Sequence, residues 1–131
     1  MEPRVTALTL ATRDLPAQAA FYERLLGRPP FTLVEGDVAF FDLGGLVLCL
    51  WTGLDGAPSR GVQLAHNVRT EDDVDAVLDG AVVAGATIVR AARQEDWGGR
   101  SGVFADPEGH EWEVAWNPQW PLDEAGRVAV G

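Results

Sequence analysis

Lysine is absent from this chain of 131 residues, and all ten of its basic residues are arginines. That absence removes Schiff-base chemistry and the phosphate-binding lysine of a P-loop. Histidine occurs only at His66 and His110, too few for a His-rich zinc site. The single cysteine, Cys49, excludes an intrachain disulfide and fits a reducing, cytoplasmic setting. Serine nucleophiles are limited to Ser59 and Ser101, and no GxSxG, CxxC, HExxH or GxGxxG occurs. No apolar run approaches the roughly 20 residues that a membrane helix needs, and the opening MEPRVTAL shows no apolar signal region. Positive charge is scarce, with a net charge of −10, so nucleic acid is a poor partner.

What is present is a core-forming composition, 47% hydrophobic, in a length that suits one domain or two fused half-domains. Val5 to Thr12 alternates as a strand. Asp14 is a natural helix N-cap, Pro16 suits the first turn and Gly27 a stop, with Ala19, Phe21, Tyr22, Leu25 and Leu26 forming an apolar stripe between them. Short strands follow at Thr32 to Glu35, Val38 to Leu43 and Leu46 to Trp51, separated by the hairpin signals Gly36-Asp37 and Gly44-Gly45. The stretch TGLDGAPSR has no periodicity and reads as a linker. The order then begins again: a strand over Val62 to Val68, a helix capped by Thr70 and ended by Gly85, and a strand over Thr87 to Arg90. The last two strands lie in WGGRSGVFADPEGHEWEVAWNP, where Asp106-Pro107-Glu108-Gly109 carries a type I turn signature and Glu111 to Trp116 alternates.

The chain is therefore βαβββ written twice, residues 1–52 and 61–118, with a linker at 53–60 and a polar tail at 119–131 expected to be loosely ordered. Phe41-Asp42-Leu43-Gly44-Gly45 answers the Phe104-to-Gly109 turn, and Leu46 to Trp51 answers His110 to Ala115. Each sheet has one face for its helix. The other face needs cover from the second half or from a second chain. On the final strand Trp112, Val114 and Trp116 should face the helix, and Glu111 and Glu113 the other way.

The strand VTALTLATRDL, the helix AFYERLLG and above all FADPEGHEWEV resemble the vicinal-oxygen-chelate superfamily, which includes glyoxalase I, bleomycin-resistance proteins and extradiol dioxygenases. The resemblance covers residues 5 to 118. It implies an α+β fold in which two βαβββ repeats form a cupped, mostly antiparallel eight-stranded sheet with the helices outside, and a homodimer. Metal-dependent members hold one ligand on the first and last strand of each half. The matching positions here are Ala7, Cys49, Gln63 and Glu113. Alanine cannot coordinate, a cysteine stands where a carboxylate is usual, and glutamine is a poor ligand. Only Glu113, with Gln63 at most, is left for a metal, so no metal and no cofactor are expected. His66 has the wrong parity to help, and His110 follows the turn.

By strand parity the lining of the cup should be Ala7, Thr9, Cys49, Trp51, Gln63, Ala65, Asn67, Glu111 and Glu113, with Trp97 and Arg100 at its rim. Arg100 is the one cation placed to answer Glu113. The expected function is a metal-free, bleomycin-resistance-like protein that sequesters a small organic molecule. The alternative is a lyase, isomerase or dioxygenase with a degenerate ligand set, and a third reading is an interaction module without a ligand.

Overall fold

The helices form where caps and apolar stripes coincide. In the protein's structure, a computed structural model describing residues 1–56 and 62–129, Asp14 accepts a hydrogen bond from the Ala17 N–H and opens α1 (Leu15–Leu26). Gly27 ends it in the left-handed region, at φ 70°, where a Cβ would be strained. Thr70, whose N–H donates to the Asp73 carboxylate, opens α2 (Glu71–Ala84), and Gly85 ends it in the left-handed region. The strands are β1 (Ala7–Ala11), β2 (Thr32–Val34), β3 (Val38–Asp42), β4 (Val47–Trp51), β5 (Leu64–Asn67), β6 (Thr87–Gln94), β7 (Arg100–Ala105) and β8 (Glu111–Trp116). The architecture is α+β, two βαβββ units whose eight strands divide into two mixed four-stranded sheets. In the order β1-β4-β3-β2 and β5-β8-β7-β6, only the first pair of each sheet is parallel.

The chain forms two compact units, Met1–Arg60 with Pro107–His110, and Gly61–Asp106 with Glu111–Gly131. In the first, Phe41 meets Tyr22 of α1 at a ring separation of 6.2 Å, so the face of β3 carrying Phe41 and Ala39 is the helix face. Leu48, Leu50 and Phe41 are fully buried there, and each such side chain contributes on the order of 1.5–3 kcal/mol by leaving water. In the second, a Cβ on Gly102 would stand 2.5 Å from Leu78 Cδ1 of α2, so that face of β7 is pressed against the helix. Val114 pairs with Gly102 and is fully buried, while Trp112 stacks on Phe104 with rings 6.2 Å apart. The register of β8 is thus the one expected from its alternation.

The repeat holds rung by rung. Thr9–Cys49–Phe40 in the first sheet occupies the place of Ala65–Glu113–Val103 in the second.

Two expectations change. The strand expected over Thr87 to Arg90 continues to Gln94 across two register shifts, because unpaired β7 backbone recruits an Ala-Ala-Arg-Gln run of weak β propensity. The tail, expected to be loosely ordered, is folded through residue 129: Leu122 bridges Val128, and the Asp123 and Ala129 N–H groups donate to the Arg127 and Pro121 carbonyls at 2.8 Å. Of the expected linker 53–60, residues 53–56 belong to neither helix nor strand, and 57–60 lie outside the described residues, Ser59 with them; tail residues 130 and 131 lie outside as well.

Candidate functional site

On the second sheet, the face away from α2 carries Glu113, Ala65, Asn67 and Glu111, since each alternates with a residue on the helix side. Gln63, one residue before β5, joins them through a long 3.4 Å contact from its Nε2 to Glu111 Oε1. Glu113 is half-buried, and its carboxylate has no hydrogen-bond or ion-pair partner among the described residues.

Arg100 requires a correction. It lies on the helix side of β7, two residues from Gly102, and its Nε and Nη2 donate to the two Asp75 carboxylate oxygens at 2.9 and 3.0 Å. That bidentate pair holds the Asp75 carboxyl below its ordinary value, the hydrogen bond from Arg100 being the main cause. Parity decided this: Arg100 and Glu113 belong to opposite faces, so Arg100 cannot answer Glu113.

Two arginines of β6 register onto the face of Glu113: Arg90 with Val103, the neighbour of Glu113, and Arg93 with Ser101. Alternation from Ile88 puts Arg90 on the helix side; the register shift between Ile88 and Arg90 turns it to the other face, and no sequence signal marks that shift. Arg90 is already committed. Its Nη1 donates to the Ser101 carbonyl at 3.0 Å, its Nη2 to Ser101 Oγ at 2.8 Å, and it pairs with Glu95 at 3.3 Å. Ser101 Oγ in turn donates to Glu95 Oε1 at 2.6 Å, which with the neighbouring arginines holds the Glu95 carboxyl low. Ser101 is fully buried in this network and so is a hydrogen-bonding residue rather than a nucleophile. Trp97, in the β6–β7 turn, is 45% exposed with its ring laid over Gly99.

On the first sheet, Thr9, Cys49, Trp51, Val47 and Ala7 share the face away from α1, together with Phe40. Cys49 is buried and takes a hydrogen bond from Thr9; burial is the main cause pushing its thiol up, and the negative charge of Asp37 adds to it. A thiol held protonated is a poor nucleophile and a poor ligand. Trp51 donates from Nε1 to Asp37 Oδ1 at 3.2 Å, with its ring over Gly53. Phe31, 59% exposed, stacks on Phe40.

Neither histidine joins these faces. His66 lies on the α2 side of its sheet, paired with Val114. His110 is buried, with Nε2 2.9 Å from the Ala11 carbonyl.

In the first unit Ala7 has no donor atom and Cys49 is a lone buried thiol; in the second the Gln63 amide is turned towards Glu111. No group of three His, Cys, Asp or Glu residues among the described ones lies close enough to hold an ion.

Comparison with known proteins agrees with this architecture. Residues 4–114 match the family model of the glyoxalase/bleomycin resistance protein/dioxygenase superfamily. Among solved structures, a glyoxalase-related enzyme from Fulvimarina pelagi is 34% identical and superposes with a TM-score of 0.86, covering 98% of this chain and 99% of that one. The metallothiol transferase FosB of Lysinibacillus sphaericus is 30% identical over 114 residues, 83% of this chain and 79% of that protein. A 45-residue stretch, 34% of this chain, is 51% identical to an uncharacterized protein of Mycobacterium bovis, and it spans only 30% of that protein's length.

Proposed function

This chain belongs to the glyoxalase/bleomycin resistance protein/dioxygenase superfamily, and from that premise we propose that it binds a planar, cationic organic molecule and sequesters it without a metal. The unpartnered Glu113 carboxylate carries the reading. A half-buried charge without a partner is costly, and the arginines of the neighbouring strands are engaged elsewhere, Arg100 by Asp75, Arg90 by Ser101 and Glu95, and Arg93 by Glu95. A ligand cation that donates to Glu113 supplies the missing charge-assisted hydrogen bond. Gln63, Asn67 and Glu111 share its face and offer further polar contacts. Aromatic surface is available on Trp97.

The likeness to a protein named metallothiol transferase favours a second reading, a metal-dependent enzyme. The ligand positions of this chain oppose it. Two measurements separate the readings. Tryptophan fluorescence titrated with naphthylmethylammonium, naphthalenemethanol and naphthoate should show tightest binding of the cation, lost in Glu113→Gln. Protein purified without added metal should contain no stoichiometric divalent ion; finding one that Glu113→Ala removes would transfer the case to the enzyme. The same reading takes the working form as a homodimer in a reducing compartment. Its support is edge strand β2, where Leu33 and Val34 are exposed beside Phe31, and light scattering tests it.

A further inference from the structure

A cavity of about 350 Å³ lies where the folded tail meets the end of β8, lined by Trp116, Trp120, Pro118, Pro121, Arg69 and their neighbours. Arg69 is the sole charged residue of that lining. Its guanidinium holds the tail in place, with Nη1 and Nη2 donating to the Asp123 and Glu124 carbonyls at 2.9 and 3.2 Å. A guanidinium has five N–H donors; two are used, which leaves three without a partner among the described residues. No carboxylate neutralises Arg69 there: both partners are main-chain oxygens, the Asp123 carboxylate accepts from the Arg127 N–H, and no salt bridge to Arg69 occurs among the described residues. Asn117 uses its side-chain oxygen on the Gln119 N–H, so its amide N–H₂ is left as a further donor.

We propose that this cavity is a binding site for a small aromatic carboxylate. Donors without acceptors and an uncompensated positive charge select an anion. Two indole faces and two prolines select a flat, apolar body attached to it. A planar carboxylate matches the fork of Arg69 in two parallel hydrogen bonds. The site lies wholly within the second unit, has the opposite charge preference to Glu113, and uses none of the residues on that face.

The test uses the full chain and 2-naphthoate. In a two-dimensional NMR titration the indole N–H resonances of Trp116 and Trp120 should shift saturably, and those of Trp51 and Trp97 should not. Arg69→Gln should weaken binding by about tenfold or more, the factor expected for loss of one charge-assisted pair, while naphthalenemethanol binds as before. Should Arg69→Gln loosen the tail, Trp120→Ala gives an independent check, since Trp120 is 53% exposed and not part of the core; it too should weaken binding. Glu113→Gln should leave naphthoate affinity unchanged. Absence of saturable shifts up to millimolar naphthoate overturns the proposal, as does an equal response of Trp51 or Trp97 or naphthoate binding indifferent to both Arg69→Gln and Trp120→Ala.

Discussion

The two helices occupy equivalent places in their units and solve the same problem in different ways. Each must satisfy the backbone N–H of its N-cap residue. In α2 the solution is local: Asp73, three residues on, accepts from the Thr70 N–H at 3.1 Å, half of a capping box. In α1 the corresponding residue is Ala17, which has no acceptor. Glu108, 94 residues away, takes its place, accepting from the Asp14 N–H at 3.0 Å and from the Arg13 N–H at 2.7 Å. Thus Pro107–His110, at the turn of the second repeat, joins the first compact unit, and His110 adds its bond to Ala11. A missing local acceptor became a long-range tie.

The largest expected effect follows. Glu108→Ala should cost about 2–3 kcal/mol in urea unfolding, because it strips a nearly buried carboxylate, 11% exposed, from two backbone donors. Asp73→Ala should cost only about 1 kcal/mol. Equal losses would mean that the distant carboxylate is no more than an ordinary cap.

A second contrast sits beneath the helices. Ala39 on β3 and Gly102 on β7 hold equivalent positions, each two residues before its helix-side Phe. Gly102→Ala would place a methyl 2.5 Å from Leu78 Cδ1 and 3.0 Å from the Ala92 backbone, an overpacking expected to cost about 1–3 kcal/mol. Ala39→Gly should cost about 1 kcal/mol, and thermal melts of the two variants rank them.

The Arg100–Asp75 pair exists only in the second unit, and its contribution should be small and pH-dependent. The Asp75 carboxyl titrates lower folded than unfolded. Its stabilisation is therefore present above the unfolded value of roughly 3.9 and disappears as pH falls through the lower folded value. Between pH 5 and 2, Asp75→Asn should flatten that part of the stability profile and leave the remainder unchanged.

The smallest effect compares two tryptophans that lie over glycines. At Gly53 an added Cβ meets only the Trp51 ring, so Gly53→Ala should displace that ring from Asp37 and shift its emission at little cost in stability. At Gly99 the Trp116 carbonyl also lies within 2.3 Å of the added atom, so Gly99→Ala should cost visibly more in the same melt.

Much of this is legible in the sequence. Asp14, Gly27, Thr70 and Gly85 bound both helices because capping and left-handed stops are local requirements. The alternation Glu111 to Trp116 placed β8 residue for residue, and with it the opposite directions of Glu113 and Val114. It also assigned Thr9, Cys49 and Trp51 to one face. Arg100 was misjudged because the turn before it hides its parity, and only the pairing with Trp116 and the approach of Asp75 reveal its side. Arg90, inside the expected strand, reaches the face of Glu113 only through the register shift that follows Ile88.

The sequence alone determined what depends on neighbours in the chain: the two βαβββ runs, their caps and turns, and the faces of their strands. Tertiary structure decided what depends on charges and donors meeting across distance: that Glu108 serves a helix 94 residues away, that Arg69 ties down the tail, and that Arg100 and Arg90 are consumed before either can neutralise Glu113. Periodicity assigns a side chain to a face. Its partner depends on which strand edge, helix turn or tail the folded chain brings within about 3 Å, the reach of a hydrogen bond.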